Sequence, residues 1–192
     1  FGSEAQARRG EGRGGGPSAR IGFIGRLDSI KRIPDLVCAV PLLEGHFTLH
    51  IFGEGRDRSN IEAEITRLNL SNRVTLHGSI AKPQAALEQI DLLVLPSEAE
   101  GFGLVLIEAM AAGIPVVGTD VMGIRDVVTN GVNGLLVPVG RPDELAGAIR
   151  RIIESGSLRQ RLIQAGIDTV RSRFDWSVVL PQYRALLKLD EP

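Results

Sequence analysis

Glu100 and Glu108 are the residues with the most chemical promise, because of what lies around them. Glu100 belongs to the loop Pro96-Ser97-Glu98-Ala99-Glu100-Gly101-Phe102-Gly103, and Glu108 lies inside the apolar helical pattern Leu104-Val105-Leu106-Ile107-Glu108-Ala109-Met110-Ala111-Ala112. A glycine-flanked loop that runs into a helix turns unpaired backbone N–H groups and the positive end of the helix dipole toward one point, which favours phosphate. The helix looks buried nearly all round, and a buried carboxylate is costly unless it is paired or hydrogen-bonded. The adjacent hydroxyls of a ribose would supply donors to Glu108; so would an arginine in a structural salt bridge, and both readings stand. Glu100 alone reads as a loop acid.

Upstream, Gly25-Arg26-Leu27-Asp28-Ser29-Ile30-Lys31 sets a glycine before two cations. Arginine offers a planar fork for phosphate oxygens and lysine a compact point charge. Taken alone, the segment reads more simply as two solvated surface cations. Gly53-Glu54-Gly55 lacks the Gly-Lys-Ser/Thr ending of a Walker loop. Its glycines suit a plain turn as well as the close approach of a ligand or a neighbouring loop. His46 and His50 have i, i+4 spacing without a carboxylate or third ligand nearby, so no metal site is expected there, and His77 is expected to pack at a strand end. No Ser-His-Asp set or nucleophile elbow is present.

The elements that must position these residues are short aliphatic runs at residues 21–24, 48–52, 74–77, 92–95, 115–118 and 134–137, alternating with helical patterns. Most of the runs are nearly continuous in hydrophobicity, as strands buried on both faces must be. Ile61, Ile65 and Leu68 fall at helical spacing, as do Leu145, Ile149, Ile152 and Ile153. Pro142-Asp143-Glu144 suits the first turn of the second of these helices. Further helices are expected over residues 34–43, 104–112, 158–170 and 176–187, the last docked on the core through Phe174, Trp176 and Tyr183. Strands alternating with helices mean right-handed crossovers. The expected fold is therefore α/β: a doubly wound, Rossmann-like six-stranded parallel sheet with helices on both faces. Ligands of such sheets bind outside the carboxyl ends of the strands, and the motifs above follow strands.

The 192 residues suit one domain, and 43% hydrophobic with 23% charged residues suits a globular one. That domain is expected over residues 20–189. Residues 1–19, rich in glycine and arginine, read as a flexible tail or linker, with an RNA-binding arm as the lesser alternative. A formal net charge of −1 gives no ground for a nucleic-acid partner. Cys38 is the one cysteine, which excludes an intramolecular disulfide; with no signal-peptide pattern, a cytoplasmic setting is expected. No apolar run approaches the ~20 residues of a bilayer span; residues 102–117 come nearest, and Glu108 and Pro115 interrupt them. The chain opens on Phe1 rather than Met, as a fragment would.

The run Glu100-Gly101-Phe102-Gly103-Leu104-Val105-Leu106-Ile107-Glu108-Ala109-Met110-Ala111-Ala112-Gly113-Ile114-Pro115-Val116-Val117 resembles the E-x7-E signature of retaining glycosyltransferases with the two-domain GT-B fold, the glycosyl transferases group 1. That group includes bacterial mannosyl-, glucosyl- and N-acetylglucosaminyltransferases. The resemblance begins at Ile21, with Gly25-Arg26-Leu27 followed by Lys31. It continues through Gly123-Ile124-Arg125-Asp126-Val127-Val128 and Asn130-Gly131-Val132-Asn133-Gly134-Leu135-Leu136-Val137-Pro138, and ends with Phe174-Asp175-Trp176, so it covers about residues 20–188.

The resemblance implies that the chain is the C-terminal, nucleotide-sugar-binding half of such an enzyme, without the N-terminal half that binds the acceptor. Arg26 and Lys31 would bind the donor diphosphate, joined by backbone N–H groups of Gly101, Phe102, Gly103 and Leu104. Glu108 would hold the ribose hydroxyls, Glu100 the transferred sugar, and main-chain atoms around Ser79 and Ile80 the base. Arg26, Lys31 and Glu100 would serve catalysis of a hexosyl transfer that retains anomeric configuration and needs neither cofactor nor divalent metal. The implied partners are a nucleoside-diphosphate sugar, with UDP or GDP as carrier, and the missing half, which would also make any membrane contact. Alone, the donor half would be inactive. Arg32 stands where the family usually has glycine, and would add a cation to the phosphate site or alter the turn. Met122 stands where glycine is common, so the loop after the fifth strand is expected to differ in shape. The alternative is a non-catalytic nucleotide-binding or partner-binding module of the same fold. A sugar-nucleotide epimerase of that fold would lack the E-x7-E passage.

Overall fold

The computed structural model describes residues 19–45 and 47–187. Of the tail expected at residues 1–19, residues 1–18 lie outside the described residues, as do His46 and residues 188–192, while Ala19 opens the first strand. The strands are β1 (Ala19–Ile24), β2 (Phe47–Phe52), β3 (Val74–Gly78), β4 (Leu92–Leu95), β5 (Val116–Thr119) and β6 (Leu135–Val137). The helices are α1 (Ile33–Ala39), α2 (Arg58–Arg67), α3 (Pro83–Leu87), α4 (Leu104–Ala111), α5 (Met122–Arg125), α6 (Pro142–Glu154), α7 (Gly156–Thr169) and α8 (Trp176–Leu186). All six strands pair in parallel in the order β3-β2-β1-β4-β5-β6. Helix α1 packs with α2 and α6, and α4 with α3 and α7, so helices flank the sheet as the strand–helix alternation requires.

The inner strands β4 and β5 are wet on neither face, while the edge strand β3 exposes Thr75 and His77. Every residue of β4 and β5 is buried, which is why those segments are aliphatic throughout. Helix α6 shows the complementary pattern: Leu145, Ala146, Ala148, Ile149 and Ile152 are buried on one stripe. Each buried Leu or Ile contributes about 1.5–3 kcal/mol. The polar Asn133 is also buried, and fully satisfied: it accepts from Thr129 N–H at 2.7 Å and donates to Val127 O at 3.0 Å and Thr169 Oγ1 at 3.1 Å. The Asn130–Gly134 stretch is thus held as a turn before β6, not as part of a cleft.

Three expectations change. The helix expected over residues 34–43 ends as an α-helix at Ala39 and tightens to a 3-10 turn at Val40–Leu42. Pro41 has no N–H to continue the ladder, and its ring would press on the carbonyl one turn back. Helix α4 is not buried all round: Leu106, Ala109 and Met110 are inside, while Leu104 is 66% exposed and Glu108 is half-buried. Helix α8 does not dock on the core. It buries no residue, and Trp176 is 77% exposed and Tyr183 60%. A π-helical segment, Val170–Phe174, follows α7, and Asp175 caps α8 by accepting from Ser177 N–H at 2.8 Å. Of the three aromatic residues only Phe174 packs inward, its ring meeting that of Phe102 edge-on at 5.8 Å.

Candidate functional site

In a sheet ordered β3-β2-β1-β4-β5-β6, the chain reverses its winding between β1 and β4, and a crevice opens beyond their carboxyl ends. A cleft of about 410 Å³ lies there, lined by Ile24, Gly25 and Arg26 after β1, Leu95 at the end of β4, Lys31, Glu100, and Phe102 to Val105 at the start of α4.

Backbone contacts fix the β1 side. Leu27 is fully buried; its N–H donates to Glu54 O at 2.9 Å and its carbonyl accepts from Asp57 N–H at 2.8 Å. A Cβ on Gly53 would stand 1.8 Å from Gly25 O, and one on Gly55 would stand 2.3 Å from Leu27 O. Between the two uses the Gly53-Glu54-Gly55 pattern left open, the structure therefore selects close approach of a neighbouring loop. A 3-10 turn, Ser29–Lys31, then carries Lys31 across, and Glu98 N–H donates to Ile30 O at 2.8 Å, tying this turn to the loop after β4.

That tie brings Lys31 to Glu100. Lys31 Nζ lies 2.6 Å from Glu100 Oε2, and the two side chains are only 16% and 15% exposed. Ser97 Oγ donates to the same carboxylate oxygen at 3.3 Å. Ser97 and Thr119 are buried, and the Thr119 hydroxyl donates to Ser97 O. Beneath the loop, a Cβ on Gly123 would stand 2.0 Å from Glu100 O, so α5 presses directly on the Glu100 backbone. The glycine the loop needs is supplied at 123, while Met122 beside it is 76% exposed and opens α5.

Arg26 is held loosely. It pairs with Asp28 at 2.8 Å, but its side chain is 81% exposed. Arg32 does not join the cleft: its guanidinium pairs with Asp35 at 2.6 Å and Glu98 at 3.3 Å. Its backbone lies in the left-handed region, φ 48°, where glycine is the easier residue. Of the two possibilities left open by the sequence, Arg32 serves the turn.

The loop enters α4 through Gly103, whose φ of 65° is a left-handed value that a glycine adopts without strain. No side chain caps this helix start, so its first N–H groups point free toward the cleft. Phe102, Gly103 and Leu104 line the cleft; Gly101 is exposed beside it. Glu108 is one turn further along α4, about 6 Å of helix rise from Leu104. It does not line the cleft itself. Among the described residues no donor or cation meets its carboxylate, so the arginine salt bridge is absent. Burial raises the Glu108 carboxyl above its ordinary value.

Ser79 and Ile80 follow β3 at the sheet edge, Ser79 exposed and Ile80 half-buried, and neither lines the cleft. Two strand spacings, about 10 Å, separate β3 from β1. Gly53 N–H donates to Gly78 O at 2.7 Å, joining the ends of β2 and β3 into one rim. His77 stands exposed at the strand end rather than packed inside, with its Nε2 2.9 Å from His50 Nδ1 and its ring stacked on Phe52 at 4.3 Å. Among the described residues, no three His, Cys, Asp or Glu side chains form a group able to hold a metal ion.

Sequence reasoning missed Ser97, Asp28, Gly123 and the Phe102–Phe174 contact. Ser97 left a signal as a small polar residue where an apolar strand ends, and Gly123 as the first residue of the Gly123–Val128 passage.

The profile of the family described as glycosyl transferases group 1 matches residues 9–169. The chain is 34% identical over 164 residues to the lipopolysaccharide core biosynthesis glycosyltransferase LpsE of Rhizobium meliloti (strain 1021), covering 85% of this chain and 48% of that one. It is similar in structure to Anabaena Alr3699/HepE, solved in complex with UDP and glucose, with TM-score 0.85 and 29% identity over 89% of this chain and 48% of that chain. The C-terminal domain of a glycosyl transferase group 1 family protein, LpcC of Francisella tularensis, shares the fold at TM-score 0.74 and 24% identity, over 84% of this chain and 88% of that one. The chain spans about half the length of the curated relatives it matches. With the profile matching most of its length, this chain belongs to the glycosyl transferases group 1 family.

Proposed function

We propose that this chain is the C-terminal, donor-binding half of a retaining glycosyltransferase that moves a hexosyl group from a nucleoside-diphosphate sugar to an acceptor. The observation that carries the proposal is the grouping of Arg26, Lys31, Glu100 and the uncapped start of α4 around one cleft at the β1–β4 switch point. Two cations and a helix N-terminus suit a diphosphate, in the ground state and as the leaving group whose charge grows in the transition state. Glu108, half-buried and without a partner among the described residues, suits the ribose hydroxyls. The rim after β3, where Ser79 and Ile80 lie, is about a nucleoside's length from the cleft and suits the base. UDP and glucose bound to Anabaena HepE support the same ligand class here.

Catalysis on this reading needs no resident metal, because Arg26, Lys31 and α4 supply the positive charge at the diphosphate. The other half would supply acceptor contacts and close the cleft to water, and any membrane contact would be made there; a cytoplasmic location is compatible with nucleotide-sugar use. The test is calorimetric titration with UDP, GDP and ADP, in EDTA and in magnesium. The affinities will be similar in both, and a hundredfold loss on chelation, about 2.7 kcal/mol, would count against the site. Lys31→Ala and Arg26→Ala will each weaken the diphosphate by about 1.5–3 kcal/mol and the nucleoside hardly at all. Lys31 will show the larger loss, since its removal leaves Glu100 unneutralised beside the ligand.

A further inference from the structure

Both cations of the cleft carry a carboxylate partner from the protein itself. Lys31 is bound to Glu100 at 2.6 Å and Arg26 to Asp28 at 2.8 Å. A diphosphate cannot reach Lys31 Nζ without approaching the Glu100 carboxylate, and with both side chains about five-sixths buried, solvent screens that repulsion poorly. Glu100 is also unable to swing aside freely. Ser97 Oγ donates to its Oε2 at 3.3 Å, and its carbonyl oxygen lies against Gly123, where no Cβ fits.

We propose that Glu100 is a built-in counter-ion that makes the cleft discriminate the sugar-bearing donor from the spent nucleoside diphosphate, with Asp28 acting in the same sense on Arg26. The inference rests on the donor-binding reading above. A carboxylate accepts hydrogen bonds and donates none. A bare diphosphate offers Glu100 only negative charge and competes with it for Lys31. A sugar nucleotide brings hydroxyl donors to the same carboxylate, and these offset the repulsion. Once the sugar has been transferred the donors leave with it, the like-charge contact remains, and the cleft favours release of the nucleotide. Asp28 contributes less because Arg26 is 81% exposed and its charge is largely screened.

The experiment is a calorimetric comparison of UDP with UDP-glucose, and of GDP with GDP-mannose, on the wild-type chain and on Glu100→Gln, Asp28→Asn and Glu154→Gln. Glu154 ends α6, away from the carboxyl ends of the strands, so its variant makes the same change in net charge without touching the cleft. Glu100→Gln will tighten the bare diphosphate ~5–10-fold, a partial recovery of one charge-assisted contact. It will leave the sugar nucleotide equal or weaker, so that the preference for the donor falls. Asp28→Asn will tighten the diphosphate ~2-fold by the same rule, and Glu154→Gln will change neither ligand. If Glu100→Gln lowers the melting temperature, Asp28→Asn decides the matter. Wild-type binding of a diphosphate that Glu100→Gln weakens or leaves unaltered, in a protein of unchanged melting temperature, overturns the counter-ion role and leaves the donor site standing. Tightening equalled by Glu154→Gln overturns it as well. Failure of the wild type to bind any of the four probes overturns the donor-binding reading, and the counter-ion role with it.

Discussion

Replacing Glu108 with glutamine removes one charge and keeps the shape of the side chain, and the structure fixes the sign of two separate consequences. In the protein without ligand, the carboxylate has no donor or cation among the described residues and burial raises its carboxyl above the ordinary value. A carboxyl whose folded pKa is raised favours the folded state while protonated, and that contribution is lost as pH climbs from the ordinary carboxylate range through the raised value. At neutral pH, Glu108 therefore opposes folding slightly, and Glu108→Gln will leave the melting temperature unchanged or higher. Nucleotide binding moves the other way. Hydrogen bonds from ribose hydroxyls to a charged acceptor are worth about 1.5–3 kcal/mol each. Glutamine keeps one carbonyl acceptor, so the loss will be about one such bond, roughly 10–150-fold in Kd. The 2′,3′-dideoxynucleotide lacks those hydroxyls and will lose little, and the cycle of two ligands and two proteins isolates the ribose contact. For the wild type, affinity for the ribonucleotide will fall with acidification at a higher pH than an ordinary carboxylate would give. Calorimetry and thermal melting read all of this. Equal losses for ribo and dideoxy ligands, together with a sharply lower melting temperature, would refute the ribose assignment and make Glu108 a structural residue.

Gly123→Ala will place a methyl group 2.0 Å from Glu100 O and 2.7 Å from Gly101 O. Backbone must give way there, at about 1–3 kcal/mol of overpacking, and both melting temperature and sugar-nucleotide affinity will drop; if neither changes, α5 does not support the loop. On the donor-binding reading proposed above, the 192-residue chain alone will bind nucleotide but transfer no sugar, because acceptor positioning and water exclusion would need a second domain. Product formation by the purified chain, followed chromatographically with a labelled donor, would contradict that.

The sheet was legible because its strands are short apolar runs set between helical patterns; Leu92-Leu93-Val94-Leu95 permits no other placement than a two-sided burial. From the strand–helix alternation, the motifs after β1 and β4 had to meet at one end of the sheet, and Arg26, Lys31, Glu100, Phe102, Gly103 and Leu104 do meet there. Their pairing was not legible. Lys31 and Glu100 are 69 residues apart, and no local pattern encodes a contact made through three crossovers. Glu108 was read as buried from its apolar neighbours, but composition does not show which face of a helix meets the sheet, and Leu104 and Glu108 lie toward the wet one. Helix α8 failed for the same reason: periodicity reveals an apolar stripe on Trp176, Leu180 and Tyr183, not what covers it.

The claim that the diphosphate lies in the β1–β4 cleft is tested most directly by following backbone amide resonances of the isotope-labelled chain during titration with UDP. Saturable shifts will be largest for Gly25, Arg26, Gly101, Phe102, Gly103 and Leu104, and will vanish for the amides of α6 and of Asn133. Saturable binding that leaves the start of α4 unmoved and shifts another surface would contradict the account.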